Sequence, residues 1–119
     1  MLFMRERERI ALILRKIKAY AQQTFEFKGD IDFEEFSSDF KTISACVFNL
    51  SQIGELVSRL GDEFIDTNPD IPWRKIKGMR NKIVHDYEGI QYPMVWDVLT
   101  EFLPQLISDI DKLITTRRI

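Results

Sequence analysis

The chain has 119 residues, 45% of them hydrophobic and 30% charged, with a net charge of -2 and a pI near 5.4. That length suits one domain, residues 1–119, able to bury a core without disulfides or a structural metal. The slightly acidic balance excludes a protein held on nucleic acid by its general surface charge. Five Gly and four Pro are too few for a sandwich of many tight turns, so the class expected is all-α.

The first pattern, about Arg5 to Gln22, repeats Ile10, Ile13, Leu14, Ile17 and Tyr20 at helical spacing, with Arg and Lys on the other side. Its apolar run Ile10 to Leu14 is five residues long, far short of the roughly 20 a membrane helix needs. No signal-peptide pattern precedes it, so no membrane association is expected. After Gly29, Asp32 with Glu35 three residues on reads as a capping box opening a short helix with Phe33, Phe36 and Phe40. Ile43, Val47, Leu50, Gly54 and Val57 continue as a long helix to Leu60, with Gly61 placed as a left-handed cap.

Asp62 to Ile71 is turn-rich, with Asn68-Pro69-Asp70, and Pro72 suits the first turn of a helix running to about Glu88. The last pattern, Val95, Leu99, Phe102, Leu106, Ile110 and Leu113, follows Tyr92-Pro93 and contains Pro104, which should bend or split it. The connections are short enough for antiparallel neighbours, which predicts an up-and-down four-helix bundle with one additional short helix. Cys46 is the one cysteine and His85 the one histidine. An internal disulfide and a Cys/His metal cluster are thereby excluded; no metal or cofactor is expected, and a reducing, cytoplasmic setting fits.

The helix from Pro72 breaks local rules. At 100° per residue, Trp73, Ile76, Met79, Ile83 and Val84 form an apolar arc, with Lys75, Lys82 and Asp86 opposite, yet Arg80 and Tyr87 fall within that arc. A guanidinium cannot shed its charge, so Arg80 must be buried with partners or face another subunit. Arg74, Gly78, Asn81 and His85 stack on a neighbouring polar strip, where Gly78 costs about 1 kcal/mol relative to Ala but leaves room for a partner helix or a phosphate backbone. Arg74, Lys75, Lys77, Arg80 and Lys82 make a local basic patch in an acidic protein. Lys75 and Lys82 are read as a solvated face.

The uninterrupted stretch Pro72-Trp73-Arg74-Lys75-Ile76-Lys77-Gly78-Met79-Arg80-Asn81-Lys82-Ile83-Val84-His85-Asp86-Tyr87 closely resembles the signature of HepT-like toxins of the HEPN superfamily, whose core reads Arg-Asn, three residues, His, one residue, Tyr. Ile53-Gly54-Glu55 and Val95-Trp96 also resemble family positions. The resemblance implies a HEPN-like helical domain that is the toxin of a type VII-like toxin–antitoxin pair. It implies a metal-independent endoribonuclease in which a ribose 2'-hydroxyl attacks the adjacent phosphate, and a homodimer with paired active sites. It further implies a nucleotidyltransferase antitoxin of the MntA type that modifies the motif tyrosine, here Tyr87, with AMP.

For that chemistry His85 supplies proton transfers near neutral pH, and Arg80 holds a phosphate oxygen and stabilises its added charge. One histidine per chain cannot be both base and acid in one site, but two chains related by a two-fold axis can pair their Arg80 and His85 sets. Asn81 would orient His85 or the phosphate, Arg74 and Lys77 would bind RNA, and Glu55 would pair with Arg80. Two other readings remain open on the residues: a non-catalytic HEPN module that docks a nucleotidyltransferase and presents its substrate, and a helical dimerisation protein without a ligand.

Overall fold

The computed structural model describes residues 2–85, 89 and 91–118, and among them every regular element is helical. Helix α1 spans Leu2–Lys28, longer at its C-terminal end than the apolar pattern suggested. What stops it is Gly29, which takes the left-handed conformation at φ 54 and donates its N–H to the Phe25 carbonyl at 3.2 Å.

Helix α2, Phe33–Ser38, starts at the expected cap, where an Asp32 carboxylate oxygen accepts from the Glu35 N–H at 2.9 Å. Phe40 does not belong to it. Asp39 intervenes as the N-cap of α3, Phe40–Leu60, accepting from the Thr42 N–H at 3.1 Å and the Thr42 hydroxyl at 2.7 Å. The same bonds hold the Asp39 carboxyl below its ordinary value. Phe40 therefore opens α3 and lies exposed.

At the other end of α3, Gly61 has φ 88 and ψ 153, positive φ as glycine permits but extended in ψ. It does not close a left-handed cap; it leads directly into a further short helix, α4, Asp62–Thr67, in the stretch read as turn-rich. The bundle thus has two short helices before residue 70 where one was expected.

Helix α3 is the centre of the fold, packing on α1 along one side and on α5, Trp73–His85, along another. Ile43, Cys46, Val47, Leu50, Ile53, Val57 and Leu60 bury its inner faces against Ile13, Leu14, Ile17 and Ala21 of α1 and Ile76 and Ile83 of α5. Trp73 anchors the start of α5. It is buried to 2% exposure, meets the Phe64 ring at 6.0 Å and donates its indole N–H to the Asn68 carbonyl at 2.8 Å. Asn68 in turn donates its amide to the Phe64 carbonyl at 2.8 Å, so Asn68 ties the connection to both α4 and α5. Trp73→Ala should lower stability by about 3–5 kcal/mol, measured by denaturant unfolding.

The C-terminal pattern is split where Pro104 predicted a break, though the break begins before the proline. Helix α6, Tyr92–Asp97, passes through a π-helical turn, Val98–Phe102, into α7, Leu103–Arg117. Pro104 has no N–H to give, and its ring would crowd the carbonyl four residues back, at Thr100. The wider turn, in which the Leu103 N–H reaches the Val98 carbonyl, relieves that crowding and keeps the chain helical. Leu103, Leu106 and Ile110 of α7 are buried, and α7 packs on α1. The order across the bundle is α5, α3, α1, α7. A groove of about 850 Å³ remains between α5 and the α6–α7 segment, lined among others by Lys75, Gly78, Lys82, Asp97, Glu101 and Phe102.

Candidate active site on helix α5

Helix α5 presents three faces. Trp73, Ile76 and Ile83 are buried in the core, with Met79 half-buried beside them. Arg74, Gly78, Asn81 and His85 all lie exposed on one strip, as four-, three- and four-residue spacings require. Lys75, Gly78, Met79 and Lys82 border the groove. The Val84 side chain and residues Asp86, Tyr87 and Glu88 lie outside the described residues, so the expected modification site at Tyr87 and the expected end of this helix near Glu88 have no structural description.

Arg80 finds its neighbours within its own chain. Where α5 crosses α3, the Arg80 stem lies directly over Gly54: a Cβ built on Gly54 would stand 2.1 Å from the Arg80 Cβ and 2.6 Å from its Cγ. No side chain fits between the two helices at that point, so glycine permits the crossing. The guanidinium then reaches the next residue of α3, placing Nη2 at 3.0 Å from Glu55 Oε2, and Nη1 donates to Asn81 Oδ1 at 3.0 Å. The side chains of Arg80 and Glu55 are 31% and 41% exposed. An ion pair that open to water contributes only about 0–1 kcal/mol to stability; its effect is to hold the guanidinium at the rim of the bundle. Asn81 touches Arg80 and makes no hydrogen bond to His85.

His85 is exposed and makes no hydrogen bond or ion pair with another described residue. It stands five residues beyond Arg80, so the two side chains leave α5 about 140° apart and about 7.5 Å apart along its axis. One helix does not aim both at a single point. Gly78, between Arg74 and Asn81 on the strip, has nothing within 4 Å of where its Cβ would stand, and the notch read from the sequence opens to solvent.

The remaining cations of α5 divide. Arg74 meets Asp66 at 3.4 Å with both side chains largely exposed, a contact too weak and wet to hold it. Lys75 lies 5.8 Å over the Phe102 ring across the groove. Lys77 and Lys82 form no ion pair among the described residues. The residue that the sequence alone did not single out is Gly54 as the seat of Arg80. Its signals were the family resemblance of Ile53-Gly54-Glu55 and a small residue within an otherwise bulky apolar repeat.

Comparison with known proteins identifies the family. The profile of the family described as Ribonuclease HepT-like matches residues 14–113. "Putative RNase MJ0127" of Methanocaldococcus jannaschii is 37% identical over 89 residues, covering 75% of this chain and 74% of that protein. "Probable ribonuclease HepT" of Thermococcus cleftensis is 36% identical over 88 residues, covering 74% of this chain and 80% of the relative. "Putative RNase MJ0125" of M. jannaschii is 30% identical over 105 residues, 88% of this chain and 90% of its own length. No solved structure matches. Arg80, Asn81 and His85 of the all-helical bundle lie within the matched region, and the chain belongs to the ribonuclease HepT-like family.

Proposed function

We propose that this protein is an endoribonuclease that cleaves RNA without a metal, acts as a homodimer, and is the toxin of a toxin–antitoxin pair. The observation that carries this reading is a guanidinium held by Glu55 and Asn81 at the bundle rim, on a helix that also exposes His85, which has no polar partner among the described residues. Family membership and the ribonuclease names of its relatives support it.

In the proposed reaction the ribose 2'-oxygen loses its proton and bonds to phosphorus, the P–O5' bond breaks, and O5' takes up a proton. Arg80 neutralises the charge that builds on the non-bridging oxygens. His85 moves protons, since an imidazole suits such transfers near neutral pH. Because Arg80 and His85 diverge on one α5, a second α5 related by a two-fold axis supplies the complementary set. The open notch at Gly78 leaves room there for a partner helix or the RNA backbone, and Arg74 and Lys77 attract the phosphates. Incubating the purified protein with total RNA in EDTA tests the reading: fragmentation supports it, and intact RNA at high protein concentration overturns it.

The antitoxin is proposed to be a small nucleotidyltransferase that transfers AMP to the Tyr87 hydroxyl. Two residues from His85, the added phosphate would repel RNA phosphates and the nucleotide would obstruct the strip. Co-expression with that partner should add mass in AMP steps by mass spectrometry, and Tyr87→Phe should remove every step; unchanged steps in that variant would place the modification elsewhere.

A further inference from the structure

We infer that Glu55 is the group that takes the 2'-hydroxyl proton, which leaves a single His85 to protonate the departing oxygen at each cleavage. This inference rests on the ribonuclease reading above. In-line displacement at phosphorus places the attacking and leaving oxygens on opposite sides, so the two proton transfers need two groups that approach from different directions. The chain has one histidine. The structure puts a second group with proton-transfer chemistry beside the phosphate-binding residue, the Glu55 carboxylate at 3.0 Å from Arg80.

Three features fit Glu55 for the role. Its side chain is 41% exposed and its contact with Arg80 involves Oε2, and no described residue donates a hydrogen bond to Oε1. Arg80 is seated over Gly54 with its guanidinium beside Glu55, so a phosphate gripped by the remaining guanidinium N–H groups would bring its ribose 2'-hydroxyl to the side of the carboxylate. One α5 sends Arg80 and His85 about 140° apart, so the His85 that protonates the leaving oxygen comes from the second α5 of the dimer. Of the elements packed on α3, α5 brings Arg80 to the carboxylate. Helix α1 sends Arg9 to Glu6 and to the Arg59 and Leu60 carbonyls, and no ion pair between α2 and Glu55 is found among the described residues.

The step balances. Glu55 accepts the 2'-hydroxyl proton as the O2'–P bond forms. The P–O5' bond breaks with its electron pair on O5', and the His85 imidazolium gives O5' its proton. The ends are a 2',3'-cyclic phosphate and a 5'-hydroxyl. Protonated Glu55 and neutral His85 then exchange protons with water to reset.

The test is the pH–rate profile of cleavage of a short RNA by the full chain and by E55Q, E55D and H85A, with folding checked by circular dichroism. E55Q should lose about 10²–10⁴-fold in kcat, with a smaller change in KM, and lose the acidic limb of the profile, while E55D keeps that limb at partial rate. An E55Q variant that keeps the wild-type acidic limb, or changes KM alone, would show that Glu55 only positions Arg80 and would overturn the inference. Cleavage by H85A at the wild-type rate would overturn the ribonuclease reading itself, and the inference with it.

Discussion

Arg80→Ala and His85→Ala are each expected to reduce RNA cleavage by about 10²–10⁴-fold while leaving the helical fold intact. The structural reason the fold should survive differs between the two. His85 is exposed and makes no polar contact with a described residue, so its truncation removes chemistry and almost no packing. Arg80 contributes a half-exposed ion pair worth about 0–1 kcal/mol and a stem that lies on Gly54; alanine retains the Cβ on that seat. Thermal melting alongside a gel assay with defined RNA checks both halves. Loss of activity accompanied by loss of helicity would instead place these residues among the structural ones.

Gly54→Ala should be the most damaging single-atom-scale change in the site. Within a helix alanine is normally favoured over glycine by about 1 kcal/mol, so any destabilisation must come from the crossing. The added methyl would meet Arg80 at 2.1 and 2.6 Å, atoms near the α5 backbone that cannot swing aside as a side-chain tip would. Helix α5 must shift outward, and overpacking of this kind costs about 1–3 kcal/mol. The guanidinium moves off Glu55 with it, so cleavage should fall in parallel with stability. Removing the offending atoms should restore the packing: in the Gly54→Ala, Arg80→Gly double variant, the cost of the alanine should shrink markedly. Equal destabilisation by Gly54→Ala with and without Arg80→Gly, read from denaturant midpoints, would show that the contact is not the cause.

Much of the bundle could be read from periodicity because its inner faces are continuous apolar stripes. Ile13, Leu14 and Ile17 of α1, Val47, Leu50 and Val57 of α3, and Ile76 and Ile83 of α5 were all placed inward by spacing and are buried. The ends were less legible, since caps decide them. Phe33, Phe36 and Phe40 continue a helical spacing that Asp39 interrupts by capping onto Thr42. Gly61 stops α3 after Leu60 as its position suggests, but with extended ψ in place of a left-handed cap, and another short helix follows directly.

The site was half visible. Arg80 stood out as a charge inside an apolar arc, a conflict local rules can detect. Its resolution depends on α5 crossing α3 over Gly54, and a contact between residues 54 and 80 leaves no trace in either helix's own periodicity. The divergence of Arg80 and His85 follows from spacing alone. What supplies the second proton-transfer group, a symmetry-related His85 or Glu55, required the three-dimensional neighbourhood.

The most direct measurement of the central claim is the chemistry of the cut ends left on a defined RNA by the purified protein in excess EDTA. Attack by the neighbouring 2'-oxygen, assisted by Arg80 and His85, predicts 2',3'-cyclic phosphate and 5'-hydroxyl termini that disappear together in Arg80→Ala and His85→Ala. Termini bearing 3'-hydroxyl and 5'-phosphate groups, or cleavage that appears only when a divalent cation is restored, would contradict it.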